Sequence, residues 1–202
     1  MLEIIIVRHG ETAWNKAEIF RGRVPIGLSE EGLKQAEKLG EYLSQKKIKA
    51  IYCSPLQRAV QTAEAIARRQ QIPTQPLDDL TDLDFGEWEG VPIQDVKIRY
   101  AEIYQLWIKR PDQAKIPGGE SLQDARQRSM QALDRIIAAN QEGTVVIVTH
   151  RVITKVLECA LLGLDDSHFW NIEQDTCGIT TFYYTGKAFI LKYHNDITFL
   201  KQ

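Results

Sequence analysis

Cysteine is scarce in this chain: Cys53, Cys159 and Cys177 are the only three among 202 residues, far apart and without a CxxC spacing. An odd, scattered set excludes the disulfide framework of a small secreted domain and predicts buried free thiols in a reducing compartment. No apolar run approaches the roughly 18 residues that a membrane span requires. The run "IIIV" near the start lies between Glu3 and Arg8, and no basic leader precedes it, so the expectation is a cytoplasmic protein with no membrane partner. An excess of charge of one sign is also missing. Lys and Arg number 25 against 27 Asp and Glu, a formal net charge of -2. That balance gives no general attraction to nucleic acid, so any anion must be recruited by a local cluster. HxxxH and HExxH spacings are absent and the carboxylates form no metal loop, so neither a metal site nor a cofactor is expected. Repeats, low-complexity tracts and charge blocks are absent too, and residues 1–202 read as a single domain. A homodimer is compatible with these residues, but none of them fixes the oligomeric state.

What is present is an alternation of strand and helix patterns, the mark of an α/β fold. Residues 3–7, 50–53 and 144–149 ("TVVIVT") are apolar runs of strand length, as expected for parallel strands covered on both faces at a sheet centre. From Leu56 the apolar positions 56, 59, 60, 63, 66 and 67 form a helical stripe. Ser54 reads as its N-cap, Pro55 as its first residue and Gln57 as the partner of a capping box. Leu33, Ala36, Leu39 and Leu43 after Ser29, and 122–137 after Ser121, give two more amphipathic helices, and a fourth runs from about 151 to 162. "GITTFYYTGKAFILKYH" reads as two strands around Thr185-Gly186, a hairpin on the sheet edge. Residues 92–120, with "YQLWIKRP" and "PGGES", read as a helix plus loop that crosses the sheet and covers a pocket.

The unusual polar residues fall in one place on this outline. His9 follows the first buried strand, Ser54 to Arg58 the second, and His150 the third. Carboxyl ends of strands are where open α/β sheets bind ligands, and the helices that follow aim free N–H groups at the same space. Arg58 and Arg151 stand in first helical turns, where a cation is disfavoured by the helix dipole. A bound anion reverses that penalty, and phosphate suits a guanidinium fork. His168 and His194 show no such pattern and read as structural.

The segments "VRHGET" with Asn15 after it, "SPLQRAVQTA", "LDFGEWEG", "PGGES" and "VTHRV" together resemble the histidine phosphatase superfamily, also called phosphoglycerate mutase-like, and the likeness spans nearly the whole chain. It implies a three-layer fold with a mostly parallel sheet flanked by helices on both faces. It implies that His9 is the nucleophile, that Arg8, Arg58 and protonated His150 bind the phosphoryl group, that Asn15 assists, and that no metal is used. The family's general acid is a glutamate, and its position is occupied here by Asp82. Asp84, Glu87 and Glu89 nearby are the alternatives, otherwise ordinary turn and surface residues. Arg21 and Gly22 in "FRG", and Arg151 after His150, complete the binding set; Arg21 stands where many relatives carry glutamine and Arg151 where glycine is common. "TDLDFGEWEG" has the look of the phosphatase branch, which implies a small-molecule phosphomonoesterase acting on phosphoserine-like, phosphosugar or α-ribazole-phosphate esters. A mutase is the first alternative and a phosphate-binding scaffold protein the second.

Overall fold

In the computed structural model of the chain, which describes residues 1–201, alternate side chains of the first strand, β1 (Leu2–Arg8), enter two different cores. Leu2, Ile4 and Ile6 join a cluster with Leu133 and Ile136, whereas Ile5 and Val7 join one with Leu39 and Ile66. A strand buried on both faces has no polar alternation to show, hence its unbroken apolar sequence. β2 (Ile48–Cys53) and β4 (Gly143–Thr149) are parallel to one another and β4 is parallel to β1, so the three apolar runs are contiguous at the sheet centre. The full order is β3-β2-β4-β1-β5-β6. Short β3 (Thr74–Pro76) forms the parallel edge. β5 (Ile179–Tyr184) and β6 (Phe189–Asp196) form an antiparallel hairpin at the other edge, as the Thr185-Gly186 signal implied.

Helices α2 (Glu30–Leu43) and α3 (Gln57–Gln70) cover one face, and α6 (Leu122–Ala139) and α7 (Arg151–Leu161) cover the other. The result is a three-layer α/β sandwich. All three cysteines are buried and free. Among the described residues, no helix is long and apolar enough to cross a membrane.

Three local expectations need correction. α3 begins two residues later than its sequence signal, with Leu56 as N-cap and no side-chain cap. Ser54 is unavailable for capping because its hydroxyl bonds Nε2 of His150 at 2.7 Å and accepts the N–H of Leu56. In α2, Leu33 is 46% exposed, and the buried stripe is completed by Gly32 and Gly40 instead. Segment 92–120 holds two helices rather than one, α4 (Ile93–Arg99) and α5 (Ala101–Lys109), which break at Tyr100. A four-residue helix, α1 (Ala13–Lys16), lies between β1 and α2.

The serines that precede α2 and α6, Ser29 and Ser121, do cap their helices. Ser121 accepts the N–H of Asp124 while Asp124 accepts the N–H of Ser121, a reciprocal box at the start of α6. Removing such a cap costs about 1 kcal/mol. Ser121→Ala should therefore lower the urea-unfolding free energy by about that amount without changing its slope, and an unchanged midpoint would show that the box contributes nothing.

Candidate active site

β1 and β4 are neighbours, but the long helices to which they lead, α2 by way of α1 and α7 directly, cover opposite faces of the sheet. The chain therefore opens a crevice just beyond their carboxyl ends. His9 and His150 are the first residues past the two strands, and their ring centroids lie 5.2 Å apart. The ladder continues into the site, since the N–H of His9 donates to the carbonyl of Thr149 at 2.9 Å and that of Ser54 to Val148 at 2.9 Å. From behind, the N–H of Cys177 donates to the carbonyls of Arg8 and His9 at 3.0 and 3.3 Å. Gly10 has to be glycine, because a Cβ there would stand 2.7 Å from the carbonyl oxygen of Gly32.

The side chains then converge. Nδ1 of His9 lies 2.6 Å from the carbonyl of Gly10, which makes Nδ1–H the donor and leaves Nε2 as a bare lone pair with no partner. Arg58 is fully buried, against the usual fate of a helix arginine. Its guanidinium donates to the carbonyls of Val24 (3.1 Å) and Gly22 (2.6 Å) and to Oδ2 of Asp82 (3.1 Å). Asp82 Oδ2 also lies 3.6 Å from Nδ1 of His150. Arg8 donates to the carbonyl of Gln174. In α1, the Oδ1 of Asn15 accepts the N–H and hydroxyl of Thr12 at 2.8 Å each, which leaves its Nδ2 as a donor.

A cavity of about 250 Å³ opens above this floor. Arg8, Asn15, Arg21, Gly22, Asp82 and Arg151 line it, so these expected site residues share one space, while His9, Arg58 and His150 lie deeper and are fully buried. Buried nitrogens without a hydrogen-bond partner concentrate here: Nε of Arg8, Arg21, Arg58 and Arg151, Nε2 of His9 and Nδ1 of His150. Buried polar groups are normally satisfied, and four orphaned guanidinium N–H donors gathered at and beneath one cavity mark a place for a ligand with many acceptors. Of the four carboxylates considered for the acid, only Asp82 borders the cavity. Asp84 accepts the N–H of Gly86, Glu87 the hydroxyl of Tyr100, and Glu89 the N–H groups of Arg23 and Phe85.

Sequence reasoning missed the cavity's other wall, built from Phe20, Phe85, Tyr104, Trp107, Phe169 and Trp170. Of these, Tyr104 and Trp107 stand in the stretch marked as a cover. The rest belong to no periodic pattern, and nothing short of the fold brings them together.

Electrostatics decides the protonation states. Burial, then the charges of Arg58, Arg8 and Arg21, push the pKa of His9 well below its ordinary value. Burial and Arg58 do the same to His150, so the expected protonated His150 is not the state of the unliganded site. Burial with Arg21 and Arg151 nearby lowers Arg8 to about 9, and burial lowers Arg21 to about 10, leaving both charged at neutral pH.

A depressed histidine pKa means that the native state binds fewer protons than the unfolded chain once the pH falls below about 6.5, the unfolded value. Stability is full above that pH and declines through the acid range down to the folded pKa, by up to about 1.4 kcal/mol per pH unit for each such group. His9→Asn should flatten the stability profile between pH 6.5 and 5 relative to the wild type in urea titrations. Parallel profiles would show that His9 is not held neutral by the fold.

Comparison with known proteins agrees with this geometry. The sequence profile of the histidine phosphatase superfamily (branch 1) matches residues 4–197. Phosphoserine phosphatase 1 of Hydrogenobacter thermophilus is 35% identical over 87% of this chain and 83% of its own length. Among solved structures, YhfR of Bacillus stearothermophilus superimposes with a TM-score of 0.95 at 28% identity, covering 99% of this chain and 100% of that one. A phosphoserine phosphatase of Entamoeba histolytica, solved with phosphoserine, gives a TM-score of 0.90 at 26% identity over 99% of this chain and 100% of its own. Five motifs in order, two buried histidines and four arginines gathered at the carboxyl ends of the central strands, and a match across nearly the whole chain lead to one conclusion: the protein belongs to the histidine phosphatase superfamily, and its activity class is that of a phosphoric monoester hydrolase.

Proposed function

We propose that the protein hydrolyses small-molecule phosphate monoesters without a metal, through a phosphohistidine on His9. The observation that carries this reading is the set of unpartnered guanidinium nitrogens around the bare Nε2 of His9. A phosphate monoester repels nucleophiles until fixed cations neutralise it, and Arg8, Arg58, Arg21 and Arg151 supply that neutralisation. His9 Nε2 forms the bond to phosphorus, the ester P–O bond breaks, and its electron pair leaves on the alcohol oxygen. Asp82 donates the proton to that oxygen, then takes one from the water that cleaves the P–N bond and restores neutral His9. A phosphoryl dianion bound in this space favours protonation of His150. Asn15 adds an amide donor, and Gly22 acts through its carbonyl, which holds Arg58.

Arg21 and Arg151 exceed what one phosphoryl group already met by Arg8 and Arg58 requires. We assign them to a second anionic group on the substrate, which favours phosphoserine-like esters, and the relationship to two phosphoserine phosphatases supports that order of candidates. In this reading the 92–120 segment covers the pocket, with Ile93, Tyr104, Trp107 and Ile108 on the cavity wall. Three buried free thiols support a reducing, cytoplasmic setting.

Labelled phosphate should be trapped on the wild type in excess chelator, and His9→Ala should lose both the label and turnover. Full activity in His9→Ala would end the histidine mechanism, a chelator-sensitive activity would end metal independence, and isomerisation of 3-phosphoglycerate faster than its hydrolysis would favour the mutase. Arg151→Gly should lower kcat/KM for phosphoserine by about tenfold to a hundredfold, from the ~1.5–3 kcal/mol of a charge-assisted hydrogen bond. The loss on p-nitrophenyl phosphate should be far smaller, and equal losses on both esters would remove the second-anion assignment.

A further inference from the structure

Two of the motifs, "LDFGEWEG" and "PGGES", supply no reacting group to the chemistry above, yet they form one contact just beyond Asp82. A Cβ on Gly86, whose φ is +48°, would stand 2.2 Å from the carbonyl oxygen of Pro117, and one on Gly119 would stand 2.4 Å from that of Asp84. At that close approach the main chains bond directly. Glu120 N–H donates to Asp84 at 2.9 Å and Glu87 N–H to Pro117 at 3.0 Å. The Glu120 carboxylate takes the N–H of Asp84 at 3.1 Å.

Arg128, on α6, locks this contact to the loop that carries the acid. Its Nε donates to Glu120 Oε1 at 2.9 Å and its Nη2 to Oε2 at 2.9 Å, a bidentate fork. The remaining donors go to three carbonyls of one short segment, Asp79 (2.9 Å), Thr81 (2.6 Å) and Asp82 itself (2.9 Å). All five guanidinium N–H groups are thus used, so this arginine, unlike those in the cavity, has nothing left for a ligand. Burial opposes the charge of Glu120, but the Arg128 fork and the Asp84 N–H outweigh it and hold the carboxyl below its usual range.

We propose that Arg128, seated on Glu120, is a positioning residue that fixes the 79–82 main chain so that the Asp82 carboxyl meets the leaving-group oxygen. The inference rests on the reading of Asp82 as general acid. It follows from reach: an aspartate has one side-chain torsion fewer than a glutamate, so its carboxyl goes where its backbone goes. A displacement of about 1 Å in a reacting group costs on the order of 10²-fold in rate. Lysine cannot reproduce a five-donor fork.

Leaving-group basicity separates positioning from general structural support. Benzyl phosphate releases a basic alkoxide and depends on proton donation, whereas p-nitrophenyl phosphate, of similar shape, does not. Rapid-quench measurement of phosphohistidine formation in Arg128→Lys should show a loss of about tenfold to a hundredfold with benzyl phosphate, with the nitrophenolate burst and its KM close to wild type. Equal losses on the two esters, or none, would overturn the inference. Asp82→Asn is the control: it should show the same selectivity, about 10²–10⁴-fold on benzyl phosphate. If Asp82→Asn treats both esters alike, the acid assignment falls and the positioning role with it. If Asp82→Asn is selective and Arg128→Lys is not, the positioning role alone falls. Should Arg128→Lys fail to fold by circular dichroism, Glu120→Gln carries the test, with the same selective loss expected and the same even-handed result against it.

Discussion

Four guanidiniums gathered about the carboxylate of Asp82 are the constraint on which this structure turns. Arg8, Arg21, Arg58 and Arg151 surround Asp82, and like charge at short range in a low-dielectric interior is unfavourable unless something neutral or negative intervenes. The fold compensates partly with dipoles. Carbonyls of Gln174, Gly22 and Val24 accept from Arg8 and Arg58, and both histidines remain uncharged. A phosphoryl dianion completes the compensation. The same imbalance that strains the site on its own therefore supplies affinity for the charge that the reaction must neutralise.

Holding that imbalance requires rigid surroundings, and they come from main chain more than from side chains. His9 is fixed by Thr149 on one side and by the Cys177 N–H on the other, and Cys177 itself stands in the left-handed region at φ 56°. The aromatic wall is tied in by the cations beside it. Arg151 lies 5.6 Å from the centre of the Trp170 ring and Lys155 4.8 Å, and the indole donates to the carbonyl of Trp107 in the cover segment. Burial and the charge of Arg151 lower Lys155 to about 8. The cavity is thus divided in chemistry, with a cationic floor for the phosphoryl group and an apolar, aromatic side for the rest of the ester.

The strand ends are legible in the sequence because a charged or titratable residue directly after an unbroken apolar run is costly to bury. That contrast marks His9 and His150, whereas Arg58, five residues past the second run, is marked as a cation in the first turn of a helix. Ser54 misleads for an instructive reason: a serine before a proline carries the local signature of an N-cap, but its hydroxyl is taken by His150, a partner 96 residues away. Leu33 misleads because a helical stripe gives a face but not its edges. The state of His150 in the free site is not legible, because a motif supplies a role in the complex, whereas burial beside Arg58 sets the protonation without a ligand. Arg128 leaves no trace, since its partners are mostly backbone carbonyls, which any sequence provides, and only the fold places them around one guanidinium.

The central claim is that burial and the surrounding guanidiniums keep both histidines neutral in the free site, and that a bound anion draws a proton onto His150 alone. Nitrogen-15 NMR of histidine-labelled protein at pH 7, assigned with His9→Asn and His150→Asn, reads this directly. The account predicts that free His9 is the neutral Nδ1–H tautomer, that free His150 is neutral, and that saturating orthovanadate shifts His150 toward the imidazolium. A charged His9 in the free protein, or a His150 signal indifferent to the anion, would contradict it.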